Sequence, residues 1–476
     1  MSAAPPPTTP HSTNQESKIG NSTKRRGVSL LVGDLVAFPL SWAVGIMLSI
    51  WTGKAELEWL MPLTTTAGIL FSVGAGLAIV GFTIHGHYRQ RSPFWEEMRV
   101  VWRLLFILAL LDFSLSFFFQ VSRMRIVIGL GWLLTFLIVP LARITVREIL
   151  HRFKAWQLPA IVIGSGNIVE DAREAIAQEP HLGLKVAFVT SELDPATVIE
   201  LTGATGCKTV VLALGSDATL SLSRLVDALQ ARRLEVFVVP AISGLPVQGL
   251  QAQHFLSSDT LMLRLQGSLF DPRAQRLKRG LDIMLSGLAL MACIPILLWA
   301  SWRIWREDGL PILYKQRRIG FGGHEFDFIK FRSMVKDADA ALESWKLQKP
   351  ALYAEFQENF KLNNDPRILR CGNWMRRLSI DELPQLWNVL RGDMSLVGPR
   401  PFPQRELARL PPDAVLLYRQ VRPGITGLWQ VSGRSNTSFE RRMELNNWYV
   451  RNWSLWLDWV VLLKTVRVVL GRHGAV

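Results

Sequence analysis

Four long apolar stretches dominate the first third of the chain and predict membrane helices. Each approaches the roughly 20 apolar residues that an α-helix needs to cross a bilayer, and the fourth is the shortest. They cover residues 28–51, 61–84, 100–119 and 126–142. We therefore predict a four-helix transmembrane bundle over residues 27–150. Residues 1–26 are polar and rich in Pro, Ser and Thr, which is typical of a disordered tail.

Cationic residues at the ends of these stretches predict the orientation of the bundle. Those that precede the first helix, join the second to the third, or follow the fourth include Lys24, Arg26, Arg89, Arg91, Arg99, Arg143, Arg147 and Lys154. Cytoplasmic loops of membrane proteins carry the excess of Lys and Arg. We therefore expect both ends of the bundle, and the tail, to be cytoplasmic.

Two acidic residues, Asp34 and Asp112, interrupt the apolar runs. Ionisable residues within membrane helices are costly, so they either serve a function or pair with polar neighbours inside the bundle. The sequence leaves both interpretations open for each aspartate.

The pattern changes after residue 154, where short apolar runs alternate with helical segments. The runs cover 159–163, 185–189, 209–214 and 235–239. This alternation predicts a Rossmann-like, parallel α/β accessory domain over residues 155–268. Gly164 and Gly166 follow the first run as in a dinucleotide-binding turn, but Val169 stands where a third glycine is expected. A nucleotide site and a spacer or oligomerisation domain therefore both remain open.

A fifth apolar stretch covers residues 281–300 and contains Pro295, which kinks or breaks a helix. Basic residues flank it on both sides, and a true span would put one basic cluster outside the cell. We therefore predict a re-entrant helix over about 279–301 that bends at Pro295 and returns. A true span is the alternative.

Aromatic residues near the C-terminus predict a helix that lies in the membrane interface. They are Trp448, Tyr449, Trp453, Trp456 and Trp459. Polar residues among them make the segment too polar to cross a bilayer, whereas Trp and Tyr favour the headgroup level. A helix in a soluble core is the alternative.

Composition and charge narrow the class of partner. The net charge is +15, and most of the excess lies after residue 270, where 32 Lys and Arg face 20 Asp and Glu. Such a charge suits nucleic acid, phosphates or an acidic membrane. The 18 Trp residues favour the membrane, so we expect no nucleic acid partner. Cys207, Cys293 and Cys371 lie too far apart in sequence for a metal motif and do not suggest a disulfide framework.

The acidic pair Asp381-Glu382 is the strongest candidate for catalysis. The run 383–390 is predicted to be helical, and Pro384 is tolerated only in a first turn, so the pair should lie at a helix N-terminus. The amides there favour anions such as a phosphate brought close. Capping is the alternative, either by a box of Ser379 and Glu382 or by Asp381 itself.

Basic residues recur around this pair and predict phosphate binding. A carboxylate that attacks phosphorus needs a metal ion or cations to offset the substrate's charge, and Arg binds phosphate through two parallel hydrogen bonds. The candidates are Lys330, Arg332, Arg367, Arg376, Arg400 and Arg434. Each arginine has an ion-pair or surface role as its alternative.

The segment from about 273 onward resembles the monotopic phosphoglycosyl transferase superfamily, also called bacterial sugar transferases. The resemblance rests on KFRSM (330–334), NDPRI (364–368), SIDELPQL (379–386), GDMSLVGPRP (392–401) and RPGITGLWQVSGR (422–434). It implies a catalytic domain over residues 270–476, with Asp381 as covalent nucleophile and Glu382 supporting Mg²⁺ binding together with Asp381. It implies ping-pong chemistry in which a UDP-sugar first gives UMP and undecaprenyl phosphate then accepts the sugar phosphate. Many members carry Ser-Pro at the bend, whereas this chain has Ile294-Pro295, which keeps the proline and lacks the serine hydroxyl.

The layout as a whole, a membrane α plus α/β fold class, resembles members of this family that transfer galactose 1-phosphate. Glucose-transferring members share nearly all of the motifs, so UDP-glucose is the alternative donor. The resemblance implies a homodimer in the bacterial inner membrane, with its catalytic domain cytoplasmic and in contact with the lipid bilayer, and a role in O-antigen, capsule or exopolysaccharide synthesis. Two other functions remain as alternatives: a nucleotide-sugar oxidoreductase or sensor that uses Gly164 and Gly166, and a non-enzymatic membrane scaffold.

Overall fold

The computed structural model describes most of the chain, in two compact units, Met1–Ile242 and Ser243–Val476. The described residues are 11–53, 65–119, 125–153, 156–214, 219–232, 234–240, 250–255, 258–265, 271–338, 344–345, 348, 365–432 and 439–470. Within them, five helices are long and apolar enough to cross a membrane.

Four of these helices belong to the first unit. They are α1 (His11–Trp51), α2 (Thr66–Ile84), α3 (Phe94–Phe118) and α4 (Arg125–Arg152). Helix α1 packs along α4, and α3 packs against both α2 and α4. At Gly45 an added Cβ would lie 3.1 Å from the Gly131 nitrogen, so small residues let α1 and α4 approach closely.

Helix α1 begins earlier than the sequence indicated. We predicted a disordered tail over residues 1–26, but residues 11–26 are helical and continue into the apolar run. No proline follows Pro10 until Pro39, and Gln, Glu and Lys in this segment are good helix formers. Residues 1–10 lie outside the described part.

The two aspartates within apolar runs contact polar groups of neighbouring helices. Asp34 pairs with Arg143 of α4 at 2.7 Å, and both side chains are buried. Asp112 accepts a hydrogen bond of 2.6 Å from the Trp132 indole. The contacts thus match the second interpretation, pairing among the helices.

A four-stranded parallel sheet follows, as predicted. Its strands are β1 (Leu158–Gly164), β2 (Leu184–Thr190), β3 (Thr209–Leu214) and β4 (Glu235–Pro240), in the order β2-β1-β3-β4. Helices α5 (Asn167–Gln178), α6 (Pro195–Thr205) and α7 (Thr219–Ala231) connect them. Gly164 is needed because an added Cβ would lie 1.8 Å from the Ala213 carbonyl oxygen. Buried clusters cover both faces of the sheet, which is typical of parallel sheets.

The second unit contains the fifth apolar helix, α8 (Pro272–Asp308), after the antiparallel pair β5 (Leu250–Phe255) and β6 (Ser258–Leu265). The helix continues through Pro295, which lies inside it. Its central side chains are exposed, with Met291 61% and Leu298 66% accessible. The predicted return of the chain at Pro295 stays a prediction.

The rest of the second unit is built around short strands and helices. Strands β7 (Leu313–Ile319) and β8 (Glu325–Phe331) pair antiparallel, and β9 (Ser395–Val397) and β10 (Gly424–Thr426) pair parallel. The helices are α9 (Arg370–Arg377), α10 (Gln385–Arg391), α11 (Gln404–Leu407), α12 (Pro412–Arg419), α13 (Leu428–Val431), α14 (Phe439–Arg451) and α15 (Leu455–Leu470). All three cysteines of the chain are free.

The C-terminal aromatic residues divide between two roles. Tyr449 and Trp453 are only 2% and 3% exposed and belong to a hydrophobic core, so for them the prediction of an interfacial position was wrong. Their polar atoms are paired inside the core by Asp458, which accepts hydrogen bonds from the Tyr449 hydroxyl (2.6 Å) and the Trp453 indole (3.2 Å). Trp448 and Trp459 are exposed.

Candidate active site

The acidic pair lies in a 3₁₀ turn, Ile380–Glu382, directly before α10. The predicted position at the N-terminal end of a helix is confirmed, although Pro384 precedes the α-helix instead of lying in its first turn. Ser379 has φ 56°, and its side chain forms no capping hydrogen bond, so the capping-box alternative does not hold. Left-handed backbone at a non-glycine residue costs energy and is found disproportionately at functional sites.

Two anchors hold α10, and therefore the acidic turn, against the rest of the unit. The buried Asn388 side chain donates to the Asp327 carbonyl oxygen (2.7 Å) and accepts from the Ile329 amide (3.2 Å) of β8. At the other end, Arg279 of α8 donates to the carbonyl oxygens of Val389 (2.6 Å) and Leu390 (2.9 Å). The Arg279 bonds go to carbonyl groups in the last turn of the helix, where intrahelical partners run out. Val389 also accepts from the Gly392 amide at 3.1 Å.

Lys330 and Arg376 lie on two elements that contact the acidic turn. Lys330 belongs to β8 and Arg376 to α9, and both elements contact the turn. Burial raises the pKa of Asp381, while the positive charges of Lys330 and Arg376 counteract that rise. Burial likewise lowers the pKa of Lys330, and the negative charges of Asp381 and Glu382 oppose it. The carboxylate is thus half-buried, and two positive charges act on it.

Arg318 extends this group of cations and was not among the predicted site residues. The β7–β8 register pairs Tyr314 with Lys330 and Arg318 with Phe326, so alternation puts Arg318, Tyr314 and Lys330 on one face of the hairpin. The Lys330 ammonium lies 5.2 Å from the Tyr314 ring centre. The alternation of Tyr314, Gln316 and Arg318 predicts that they share one face of a strand. That this face also carries Lys330 follows only from the pairing of the two strands.

The Arg318 guanidinium has hydrogen-bond donors without an acceptor among the described residues. Its Nη2 donates to Gln316 Oε1 at 2.7 Å, whereas Nε and Nη1 are buried without an acceptor among the described residues. Burial lowers its pKa, and the charge of Arg400 acts in the same direction. Arg400 itself lies over the Trp429 ring at 5.6 Å. An anion is the partner that would relieve both the unmet hydrogen bonds and the mutual repulsion.

The remaining predicted phosphate ligands have other contacts. Arg332 forms an ion pair with Asp308 and donates to the Gly309 carbonyl oxygen at 2.7 Å. Arg367 binds both carboxylate oxygens of Asp365, at 2.9 and 2.6 Å. These contacts match the ion-pair alternative. Arg434 lies outside the described residues.

The carboxylates fit a Mg²⁺ ion that is completed by its substrate. Mg²⁺ keeps several waters and is usually held by one or two carboxylates together with substrate phosphates. Asp381 and Glu382 supply two carboxylates on one turn. In the described part of the chain no group of three or more His, Cys, Asp or Glu side chains forms a metal cage.

A cavity of about 230 Å³ lies elsewhere in the same unit, between α8 and the C-terminal helices. Lys278, Arg279, Arg422 and Trp453 are among its lining residues, and none of the predicted catalytic residues lines it. We place the chemistry at the acidic turn because the half-buried carboxylate is there and two cations act on it.

A half-buried carboxylate on which two cations act, in a chain with long apolar helices, is typical of a membrane enzyme with an anionic substrate. Comparisons with known proteins agree with this class. Residues 273–472 match the family model described as bacterial sugar transferase. The chain is 36% identical to the UDP-galactose-lipid carrier transferase of Erwinia amylovora over 94% of this chain and 97% of that protein. It is also 36% identical to the undecaprenyl-phosphate galactose phosphotransferase of Salmonella typhimurium, over 82% of this chain and 84% of that protein.

An uncharacterized sugar transferase of Haemophilus influenzae is equally similar, with 36% identity over 85% of this chain and 89% of that protein. The chain therefore belongs to the bacterial sugar transferase family. It is a membrane protein and a phosphotransferase.

Proposed function

We propose that the protein transfers a sugar 1-phosphate, preferably galactose 1-phosphate, from a UDP-sugar to undecaprenyl phosphate. The observation that carries this proposal is the half-buried Asp381, on a turn that contacts the elements of Lys330 and Arg376. Two long relatives whose names specify galactose or UDP-galactose support the choice of donor. The products are UMP and undecaprenyl-diphospho-galactose. The enzyme would thus catalyse the first membrane step in the synthesis of a polysaccharide on a lipid carrier.

In the first step an Asp381 carboxylate oxygen attacks the phosphorus that carries the sugar. The bond between this phosphorus and the bridging oxygen breaks, and UMP leaves with that oxygen. Lys330 and Arg376 offset the negative charge that accumulates when a carboxylate meets a diphosphate, and Arg318 offers free donors to a phosphate oxygen. Mg²⁺, held by Asp381 and Glu382 when bound, supplies further charge neutralisation.

In the second step an oxygen of undecaprenyl phosphate attacks the same phosphorus. The bond to Asp381 breaks, and the carboxylate is regenerated while the diphosphate product forms. Both attacks are favoured when the carboxylate and the phosphates are shielded from water, and the half-buried position of Asp381 supports such shielding.

We further propose that α8 is re-entrant and that the catalytic unit faces the cytoplasm. At its start, Asp282 accepts hydrogen bonds from the Ser395 hydroxyl (2.8 Å) and the Leu396 amide (3.2 Å). At its end, Glu307 accepts from the backbone amides of Arg370 and Cys371. Asp282 and Glu307 thus both bind the same unit, whereas a straight helix would hold them about 38 Å apart. This supports a return at Pro295, on the side where UDP-sugars are made.

The test is UMP release from UDP-galactose and from UDP-glucose, with Mg²⁺ and undecaprenyl phosphate. We expect faster release from UDP-galactose, loss on chelation of Mg²⁺, and loss in Asp381→Asn. Asp413→Asn, an exposed carboxylate of α12, is the matched control and should keep full activity. Preference for UDP-glucose would replace the donor, and an active Asp381→Asn would refute the nucleophile.

The covalent step is tested separately, without the acceptor lipid. A ping-pong enzyme releases about one UMP per active site and retains the labelled sugar phosphate on the protein. Release that requires undecaprenyl phosphate, with no retained label, would instead indicate direct transfer between the two substrates.

A further inference from the structure

Three arginines surround one tryptophan at one end of the four N-terminal helices. Arg26 lies near the apolar start of α1, Arg91 precedes α3, Arg147 is near the end of α4, and Trp156 follows α4. The guanidinium carbons lie 5.8, 5.6 and 5.3 Å from the indole ring centre, respectively. We call these four residues the arginine cage. Only 2% of Arg26, 9% of Arg91, 3% of Arg147 and 3% of Trp156 is exposed.

Carboxylates neutralise only one arginine of the cage. Arg147 pairs with the buried Glu97, which also pairs with Arg143 at 2.5 Å. Asp34 forms a second ion pair with Arg143, at 2.7 Å. The two positive charges of Arg143 and Arg147 are therefore balanced by the two negative charges of Asp34 and Glu97.

Arg26 and Arg91 are bonded only to neutral groups among the described residues. Arg26 donates to the carbonyl oxygens of Arg89 (2.9 Å) and Gln90 (3.0 Å). Arg91 Nη1 donates to three carbonyl oxygens, those of Trp156, Leu182 and Gly183, at 2.9 to 3.1 Å. The charge of Glu97 acts on Arg26, and that of Glu235 acts from the surface on both Arg26 and Arg91, in each case without an ion pair. The cage thus holds a surplus of two buried positive charges.

All four members of the cage also have unmet hydrogen-bond donors. The buried atoms without an acceptor among the described residues are Arg26 Nε, Arg91 Nε and Nη2, Arg147 Nε and Nη1, and Trp156 Nε1. Buried donors are normally paired, and unpaired ones are expensive. The side chains leave no room for a water molecule to serve them.

A purely structural role accounts for only part of these contacts. Arg91 Nη1 holds the turn Pro180–Leu182, and an added Cβ at Gly183 would lie 2.2 Å from that nitrogen. This explains one nitrogen of Arg91. It explains neither the surplus charge nor the six unmet donors.

We propose that the arginine cage binds one phosphate monoester group. Its two negative charges match the surplus of two, and its oxygens suit the paired donors of guanidinium groups. The group is carried either by a lipid headgroup, since the cage lies at the ends of apolar helices, or by a free phosphate. Binding requires Trp156 or an arginine to move aside, and the segments 85–93 and 180–183 around the cage lie outside the long helices. This site is independent of the chemistry proposed at Asp381.

The test uses the full-length protein in nanodiscs and measures hydrogen exchange of residues 85–93 and 180–183. One arm compares phosphatidylcholine discs with discs that also contain phosphatidic acid, and another adds inorganic phosphate to phosphatidylcholine discs. Slower exchange with phosphatidic acid alone supports a lipid source, and slower exchange with inorganic phosphate supports a free source. Unchanged exchange in both arms overturns the proposal.

Matched variants locate the effect. Arg26→Gln with Arg91→Gln should weaken the apparent affinity for the effective probe at least tenfold. Arg25→Gln with Arg89→Gln removes the same charge from exposed neighbours and should leave it unchanged. An equal response in both pairs would place binding elsewhere and reject the cage. Should the first pair fail to fold, Trp156→Phe keeps every arginine and removes one donor, and an unaltered affinity there would count against the site.

Discussion

Asp381 combines reactivity with a cost in stability. Burial raises its pKa, so protonation of this carboxyl favours the folded state. The stabilisation by the protonated carboxyl is fully present below the pKa of the unfolded state and is lost as pH rises through the pKa of the folded state. At pH 7 the ionised carboxylate is therefore unfavourable for folding. We therefore expect Asp381→Asn to abolish UMP release while its thermal unfolding temperature stays equal or rises. A clearly lower unfolding temperature at pH 7 would mean that the carboxylate is structural.

Lys330 should control the acid limb of the pH–rate profile. Its positive charge lowers the pKa of Asp381, so Lys330→Gln should move the loss of kcat/KM on the acid side to higher pH. Lys315→Gln removes the same charge from an exposed neighbour on the opposite face of β7 and should leave the limb in place. Identical acid limbs in wild type and Lys330→Gln would refute the coupling.

Arg318 and Arg317 are a matched pair on opposite faces of β7. Arg318 has buried, unmet donors, whereas Arg317 is exposed and pairs with Asp327 at 3.3 Å. A lost charge-assisted hydrogen bond costs about 1.5–3 kcal/mol, so Arg318→Gln should lower kcat/KM for the UDP-sugar about tenfold or more. Arg317→Gln should change it little. Equal effects of the two substitutions would argue against phosphate binding by Arg318.

At this scale the sequence was informative where chemistry and backbone rules agree. Pro384 and the acidic pair predicted a helix start, and the turn is there. The positive φ of Ser379 was not predictable, because serine does not favour that conformation and only the surrounding packing imposes it. Arg332 and Arg367 looked equivalent to Arg376 in sequence, since their ion pairs depend on which carboxylates the fold brings close.

Among the elements, α8 gives the sharpest test of membrane topology. Its two ends bind the same unit, so a re-entrant helix should expose both to the cytoplasm. In a background without native cysteines, we expect Arg273→Cys and Arg306→Cys to react with an impermeant maleimide only from the cytoplasmic side. Thr52→Cys, just beyond α1, is the control for the outer side. Labelling of Arg306→Cys from the same side as Thr52→Cys would show a true span.

Periodicity predicted elements better than their ends or their surroundings. The parallel strands are confirmed within one or two residues, because runs such as 159–163 are apolar on both faces and bounded by turns. The early start of α1 was missed because composition alone does not distinguish a polar helix from a disordered tail. The burial of Tyr449 and Trp453 was missed because it depends on the distant carboxylate of Asp458 and on Lys278, which binds that carboxylate at 2.6 Å.

At the scale of the whole molecule, the candidate active site and the arginine cage belong to different units. Asp381, Lys330, Arg376 and Arg318 all lie within Ser243–Val476, and so does the matched family segment. The contacts that hold the acidic turn, from Asn388 and Arg279, are internal to that unit as well. The chemistry should therefore not need the first unit.

We accordingly expect a fragment of residues 243–476, kept in membranes through α8, to retain Mg²⁺-dependent UMP release within about tenfold of the full chain. Asp381→Asn in the fragment is the control and should be inactive, while the unfolding profile shows whether the fragment is folded. A folded fragment without activity would mean that the first unit contributes to catalysis.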